Sequence, residues 1–311
     1  MLYNGRAPLA PGQRRTTNDR RRMTGVSAIF GASRRHPAAR RRSGPRAWLD
    51  AALRRFAIAP PSRTSAVPPH SYPPAPAGET LYVIGDIHGR ADCLVRAQAQ
   101  IDRDRRAAPG APMATEIYLG DYVDRGPDSK AVLDLMAARA RATRIVALRG
   151  NHETAMESFL AGRLPFAAWR ALGGAETLLS YEFAASELRR AEGPRREDFA
   201  ERLPDDHRRF LASQTEFHRV DGYCFVHAGL RPGVALEDQD AADLTGIRNE
   251  FLDCDRDGDF GFVVVHGHTP VERVEFRSNR INLDTGAYVS NRLPVLRIDA
   301  AGAALLAPEA P

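Results

Sequence analysis

Leu81-Tyr82-Val83-Ile84-Gly85-Asp86-Ile87-His88-Gly89 is a short apolar run that stops on a polar, glycine-bearing motif. The pattern recurs twice within the next seventy residues. Glu116–Gly120 (EIYLG) runs into Asp121-Tyr122-Val123-Asp124-Arg125-Gly126, and Arg144–Leu148 (RIVAL) runs into Gly150-Asn151-His152-Glu153. Between the runs lie two helical stretches, 91–105 with Leu94, Ala97 and Ile101 on one face, and 128–142 with Val132, Leu133, Leu135 and Met136. Strand–helix–strand–helix–strand at this spacing predicts a βαβαβ unit around a buried parallel sheet. Further strands are expected at 223–226, 262–265, 274–276, 280–283 and 295–298, and a helical cap at 154–215. The sum is a layered α/β/β/α sandwich with an inserted cap.

In open α/β sheets ligands bind outside the carboxyl ends of the strands. Those ends here carry Asp86 and His88, then Asp121, Asp124 and Arg125, then Asn151 and His152. Two later strands end in His227-Ala228-Gly229 and His266-Gly267-His268-Thr269. Oxygen and imidazole donors without thiolate suit a pair of divalent ions, with Mn²⁺, Fe and Zn²⁺ as candidates. One Asp-x-His is commonplace; five such motifs at successive strand ends are not.

Taken together, GDIHG, GDYVDRG, GNHE, HAGL and GHT resemble the signature of the phosphoprotein phosphatase branch of the calcineurin-like metallophosphoesterases. Bacterial and bacteriophage-lambda-type serine/threonine protein phosphatases are the nearest likeness, over Leu81 to Ile298. The resemblance implies one metal held by Asp86, His88 and Asp121, and a second held by Asp121, Asn151, His227 and His268. It implies in-line attack on phosphorus by a hydroxide bridging the two cations, which sit about 3.5–4 Å apart in such centres. His152 would then protonate the leaving alkoxide, Asp124 would orient its imidazole, and Arg125 and Arg248 would clamp the phosphate. Relatives are expected to carry an aromatic two positions before that second arginine, where this chain has Gly246. Only the histidine of Gly-His-Thr aligns with a ligand, so His268 is preferred to His266. Glu153 is expected to orient the site or cap the following helix.

The implied reaction is hydrolysis of phosphoserine and phosphothreonine monoesters in proteins. A rival of the same chemistry is symmetrical diadenosine-tetraphosphate hydrolysis. That rival calls for an aromatic platform for the base. Phe159, Phe166, Trp169, Tyr181 and Phe183 lie in the segment that would supply one, and helix packing is the expected role of all five. A third reading is an inactive nucleic-acid or membrane binder. The complete set of ligand positions argues against it.

Charge motivates that third reading. The chain has 311 residues, a net charge of +5 and a pI near 9.4. Residues 1–78 hold 15 arginines, no lysine and two acids, Asp19 and Asp50, for a net of +13. The remaining 233 residues therefore carry −8. The basic end also holds 11 of the 22 prolines and lacks apolar periodicity, so it reads as a disordered tail ahead of a catalytic domain at 79–311. Its Ala47–Ala59 stretch is either an amphipathic helix for a membrane surface or partner, or a transient helix; Pro60–Ala77 reads as a linker. Clustered arginine could attract nucleic acid or anionic lipid. No transmembrane span or secretory h-region is apparent, and three cysteines, odd in number and without a CxxC pair, suit a reducing, cytoplasmic setting. Asp253–Asp259 imitates the start of an EF-hand, but Val264 stands where a bidentate glutamate is required.

Overall fold

The computed structural model describes residues 71–107, 113–254 and 260–307. Along the chain come β1 (Glu79–Ile84), α1 (Ala91–Ala107), β2 (Met113–Tyr118), α2 (Ser129–Ala142) and β3 (Ile145–Ala147). Helices follow: α3 (Asn151–Leu160), α4 (Phe166–Leu172), α5 (Gly174–Ser180), α6 (Glu192–Arg202) and α7 (Asp205–Ala212). The second half contains β4 (Phe217–Val220), β5 (Tyr223–Val226), α8 (Ala241–Gly246), α9 (Asn249–Leu252) and β6 (Val263–His266). It closes with β7 (Glu275–Phe276), β8 (Arg280–Asn282), α10 (Ala287–Ser290), β9 (Val295–Asp299) and β10 (Gly302–Leu305).

Two five-stranded sheets form, ordered β10-β9-β1-β2-β3 and β4-β5-β6-β8-β7. The β1-β2-β3 and β5-β6-β8 pairings are parallel, with Val83 opposite Ile117 and Phe225 opposite Val265. Side chains alternate across each strand. Leu81, Val83 and Ile117 therefore meet Tyr223, Phe225, Val265 and Ile281 between the sheets. Tyr82 and Ile84 point the other way, onto Leu94, Ile101, Leu133 and Met136 of α1 and α2. Beyond the second sheet, Val226 and Val264 pack on Leu244, Ile247 and Phe251. The four expected layers are present.

Strands β4 and β10 were not anticipated. Both are sheet edges, where one flank stays open and no continuous apolar run is needed. Inside the insertion, Phe159, Phe166, Trp169, Tyr181 and Phe183 are all buried. Phe159 stacks on Trp169 with centroids 4.8 Å apart, and Trp169 meets Phe199 at 5.7 Å. Guanidinium groups of Arg195, Arg196 and Arg202 lie over Phe166, Phe159 and Phe183. A charged helix can thus roof an aromatic core with its arginine heads.

Residues 71–77, inside the expected linker, are laid against the second sheet. Tyr72 sits 5.9 Å from the Phe276 ring, and the Tyr223 hydroxyl donates to Pro73 O at 2.6 Å. Residues 1–70, including the Ala47–Ala59 stretch and the arginine-rich segment, lie outside the described residues, as do Asp255–Asp259. Val264 is buried in β6. Among the described residues no helix is long and apolar enough to cross a membrane.

Candidate active site

Each parallel strand hands the chain to a tight turn on the same edge of the fold. His88, Asp121, Asp124, Arg125 and His268 all adopt left-handed backbone, with φ of 46°, 52°, 70°, 66° and 65°. Such conformations cost free energy for residues with a Cβ and survive where the surroundings over-determine them. Glu153 is one such determinant. From the first turn of α3 its carboxylate accepts the amides of Gly150, Asp121, Tyr122 and Val123 at 2.8–3.2 Å. It both caps the helix and clamps the Asp121 loop. Burial and the neighbouring Asp121 push Glu153 up to about 7.

Asp121 is the hub. Its carboxylate lies 3.4 Å from His88 Nε2, 3.4 Å from His227 Nε2 and 3.8 Å from His152 Nε2. Two trios of candidate donors share it, with atoms within 4.8 Å of one another: His88–Asp121–His152 and Asp121–His227–His268. The Nδ1 atoms of His88 and His227 face the Val123 and Leu119 carbonyls at 3.0 and 2.9 Å. Donation there leaves each Nε2 lone pair directed at the hub, the usual orientation for an imidazole ligand. Asn151 Oδ1 stands 3.1 Å from His227 Nε2, within the second trio's reach. The carboxyl of Gly150's neighbour across the turn leaves that glycine no room: a Cβ there would lie 2.1 Å from Asp121 Oδ1.

Asp86 joins neither trio. Its oxygens accept the His268 amide at 3.0 and 3.2 Å, bracing the turn that presents His268. Burial, Asp284 and Asp121 raise its pKa well above the usual carboxylate range. Burial also pushes Asp284 up to about 6. For Asp121 burial acts upward too, but His227, His152, His88 and Arg125 outweigh it and hold the carboxyl low. Burial depresses His88, His227 and His268, keeping their rings neutral.

This donor set fits divalent cations. Three mutually repelling buried carboxylates, neutral imidazoles and no thiol meet at one spot. Both ring nitrogens of His268, His152 Nε2 and Asp284 Oδ2 are buried without a hydrogen-bond partner. Orphaned polar atoms at that density are rare unless something else satisfies them. His266 is buried as well, but packs edge-on against Phe251 at 5.0 Å and stands outside both trios.

Next to the hub, His152 Nδ1 meets Asp124 Oδ2 at 2.8 Å, and both side chains are fully buried. Burial opposes protonation of His152, but Asp121 and Asp124 reverse that and raise its pKa. Arg125 Nη1 donates to His88 Nε2 at 2.8 Å, and its guanidinium lies 5.1 Å from the Tyr288 ring centroid. Arg248 donates to Thr269 Oγ1 at 3.0 Å, and burial, then Arg125, lowers its pKa. Gly246 is exposed with open space at its Cβ position, so a larger side chain there would meet no neighbour. Sequence reading missed Asp284 and Tyr288. The signal was available, since Asp284-Thr285-Gly286 follows β8 as the other polar motifs follow their strands.

The sequence profile described as calcineurin-like phosphoesterase matches residues 80–300. The chain belongs to that family. Members use divalent metals, and this calcineurin-like phosphoesterase is a hydrolase of phosphate esters. Bis(5'-nucleosyl)-tetraphosphatase PrpE [asymmetrical] of Halalkalibacterium halodurans is 28% identical over 233 residues, spanning 69% of this chain and 88% of the relative. A Caenorhabditis elegans protein named a candidate serine/threonine-protein phosphatase is 43% identical over 77 residues, 24% of this chain and 19% of that one. Among solved structures, a candidate diadenosine tetraphosphatase aligns at TM-score 0.48 and 20% identity, covering 74% of this chain and 94% of the other. A cold-active protein tyrosine phosphatase aligns at TM-score 0.48 and 16% identity, covering 80% and 85%.

Proposed function

We propose that the chain is a metal-dependent phosphatase that hydrolyses phosphoserine and phosphothreonine monoesters in proteins. The observation that carries the reading is the juxtaposition of the shared Asp121 hub with the buried Asp124–His152 pair. Asp86, His88 and Asp121 would hold one divalent ion, and Asp121, Asn151, His227 and His268 the other. Mn²⁺ is the first candidate, with Fe or Zn²⁺ as alternatives. When bound, such a pair supplies positive charge to the phosphoryl oxygens and acidifies a water. The remaining work falls to the chain. His152 keeps Nδ1 on Asp124 and has Nε2 free of any hydrogen bond, so a proton on Nε2 can pass to the departing alkoxide. Arg125 and Arg248 would grip phosphoryl oxygens through their guanidinium forks.

The protein-substrate reading is supported by burial of all five aromatics of the insertion, which removes them as base platforms. The short match to a serine/threonine-protein phosphatase name agrees with it. A second reading, dinucleoside-tetraphosphate hydrolysis, is favoured by relatives of that name aligned over 88% of their length. One comparison separates the two. The metal-stripped full chain is resupplied with Mn²⁺ and given a phosphothreonine peptide, a phosphotyrosine peptide and diadenosine tetraphosphate. The first reading expects kcat/KM to be highest for the phosphothreonine peptide; a preference for the dinucleotide replaces it with the second.

A further inference from the structure

Asp124 is held from outside the sheet that carries it. Its Oδ1 accepts the Thr177 hydroxyl at 2.6 Å. Its Oδ2 accepts the Trp169 Nε1–H at 3.0 Å, alongside His152 Nδ1 at 2.8 Å. The Asp124 amide, in its left-handed turn, donates to the Thr177 and Ser129 hydroxyls at 2.9 and 3.0 Å. Asp124, Ser129, His152, Trp169 and Thr177 are all fully buried, so water cannot stand in for a lost donor. Trp169 comes from α4 and Thr177 from α5, both within the insertion expected to serve as a cap. The corner between those helices also touches the next residue. Arg125 N donates to Gly173 O at 3.3 Å, and a Cβ at Gly173 (φ +108°) would lie 2.5 Å from that nitrogen.

We infer that Trp169 and Thr177 are positioning residues that lock the Asp124 carboxylate so that His152 presents Nε2 to the leaving group. The inference rests on the reading of His152 as the proton donor. A carboxylate facing only an imidazole can turn about its Cβ–Cγ bond and exchange oxygens, carrying the imidazole with it. A donor fixed on each oxygen removes that freedom. The insertion is then part of the proton-transfer machinery, whatever else it does for substrate.

Proton donation matters most when the departing oxygen is a strong base. The test therefore compares 4-nitrophenyl phosphate, whose leaving group needs little help, with phenyl phosphate and a phosphothreonine peptide. Trp169→Phe keeps a ring and removes the N–H; Thr177→Val keeps the shape and removes the hydroxyl; Thr177→Ser restores the hydroxyl. Trp169→Phe and Thr177→Val should each lower kcat on phenyl phosphate and the peptide by about 10-fold or more, a fraction of the roughly 10²–10⁴ that a positioned acid contributes. On 4-nitrophenyl phosphate the loss should stay under about 2-fold, with KM unchanged, and Thr177→Ser should recover the wild-type pattern. Metal content and melting temperature are measured on each variant, so that metal loss or unfolding is seen directly. His152→Asn supplies the reference, with the same substrate dependence and a larger loss. Equal losses on all substrates, or none, in both positioning variants overturn the inference while His152→Asn still discriminates. If His152→Asn itself loses equally on all substrates, the proton-donor reading fails first.

Discussion

The two-sheet scaffold and the helical insertion contribute to one site by different routes. On the scaffold, each candidate ligand follows its strand within a few residues, and the strand's direction aims it. In the insertion, Trp169 and Thr177 reach Asp124 from 45 and 53 residues away, by tertiary packing alone. Precision can therefore come from local chain direction or from a distant packed core. The two routes should fail differently under mutation.

The largest effect is expected on the scaffold. Asp121→Asn should remove most of the metal, measured by elemental analysis, and cut kcat/KM by about 10³-fold or more, because the hub serves both trios. Retained metal at wild-type stoichiometry would break the shared-hub reading. His152→Asn should lower kcat by about 10²–10⁴-fold with metal retained. The pair separates metal holding from proton transfer at two residues in direct contact, since the His152 amide donates to Asp121 Oδ1 at 3.1 Å.

On the insertion side, Phe199→Ala should destabilise the fold by about 3–5 kcal/mol, because it opens a cavity beneath Trp169. Its melting temperature should fall while any enzyme still folded binds metal normally. Loss of metal in the folded fraction would erase the distinction between the two regions. The smallest effect concerns His266, held neutral by burial and depressed to about 3. A histidine depressed in the folded state is neutral there while the unfolded chain takes up a proton. The stability it contributes is present above about 6.5 and drains as pH falls toward 3. At pH 5 that amounts to about 2 kcal/mol. His266→Gln should flatten the fall in melting temperature between pH 7 and 5 for the metal-free protein. An unchanged slope would assign acid lability to other groups.

The parts legible in sequence share one physical property. Leu81–Ile84 and Tyr223–Val226 are interior strands covered on both sides, so their burial is written as unbroken apolar runs. Asp86 and Asp121 follow such strands directly, and Asn151 follows the short apolar edge strand β3. Strands β4 and β10 escape notice because their side chains are mostly half-buried or exposed and form no marked apolar run. Trp169 and Thr177 escape for another reason. An indole in an aromatic-rich helix has the composition of core packing, and its N–H finds Asp124 only after folding. Both descriptions are true of Trp169: its ring stacks on Phe159 while its nitrogen faces the carboxylate.

Gly150 carries a consequence for descent. A single methyl at that position collides with Asp121 at the hub, and Gly150 contributes nothing to the apolar layers. One substitution there would therefore silence this chain by displacing Asp121 while its sequence kept every ligand residue. The ligand residues would persist in a protein that no longer turns over, and only the lost glycine of Gly150-Asn151-His152-Glu153 would mark the silenced descendant.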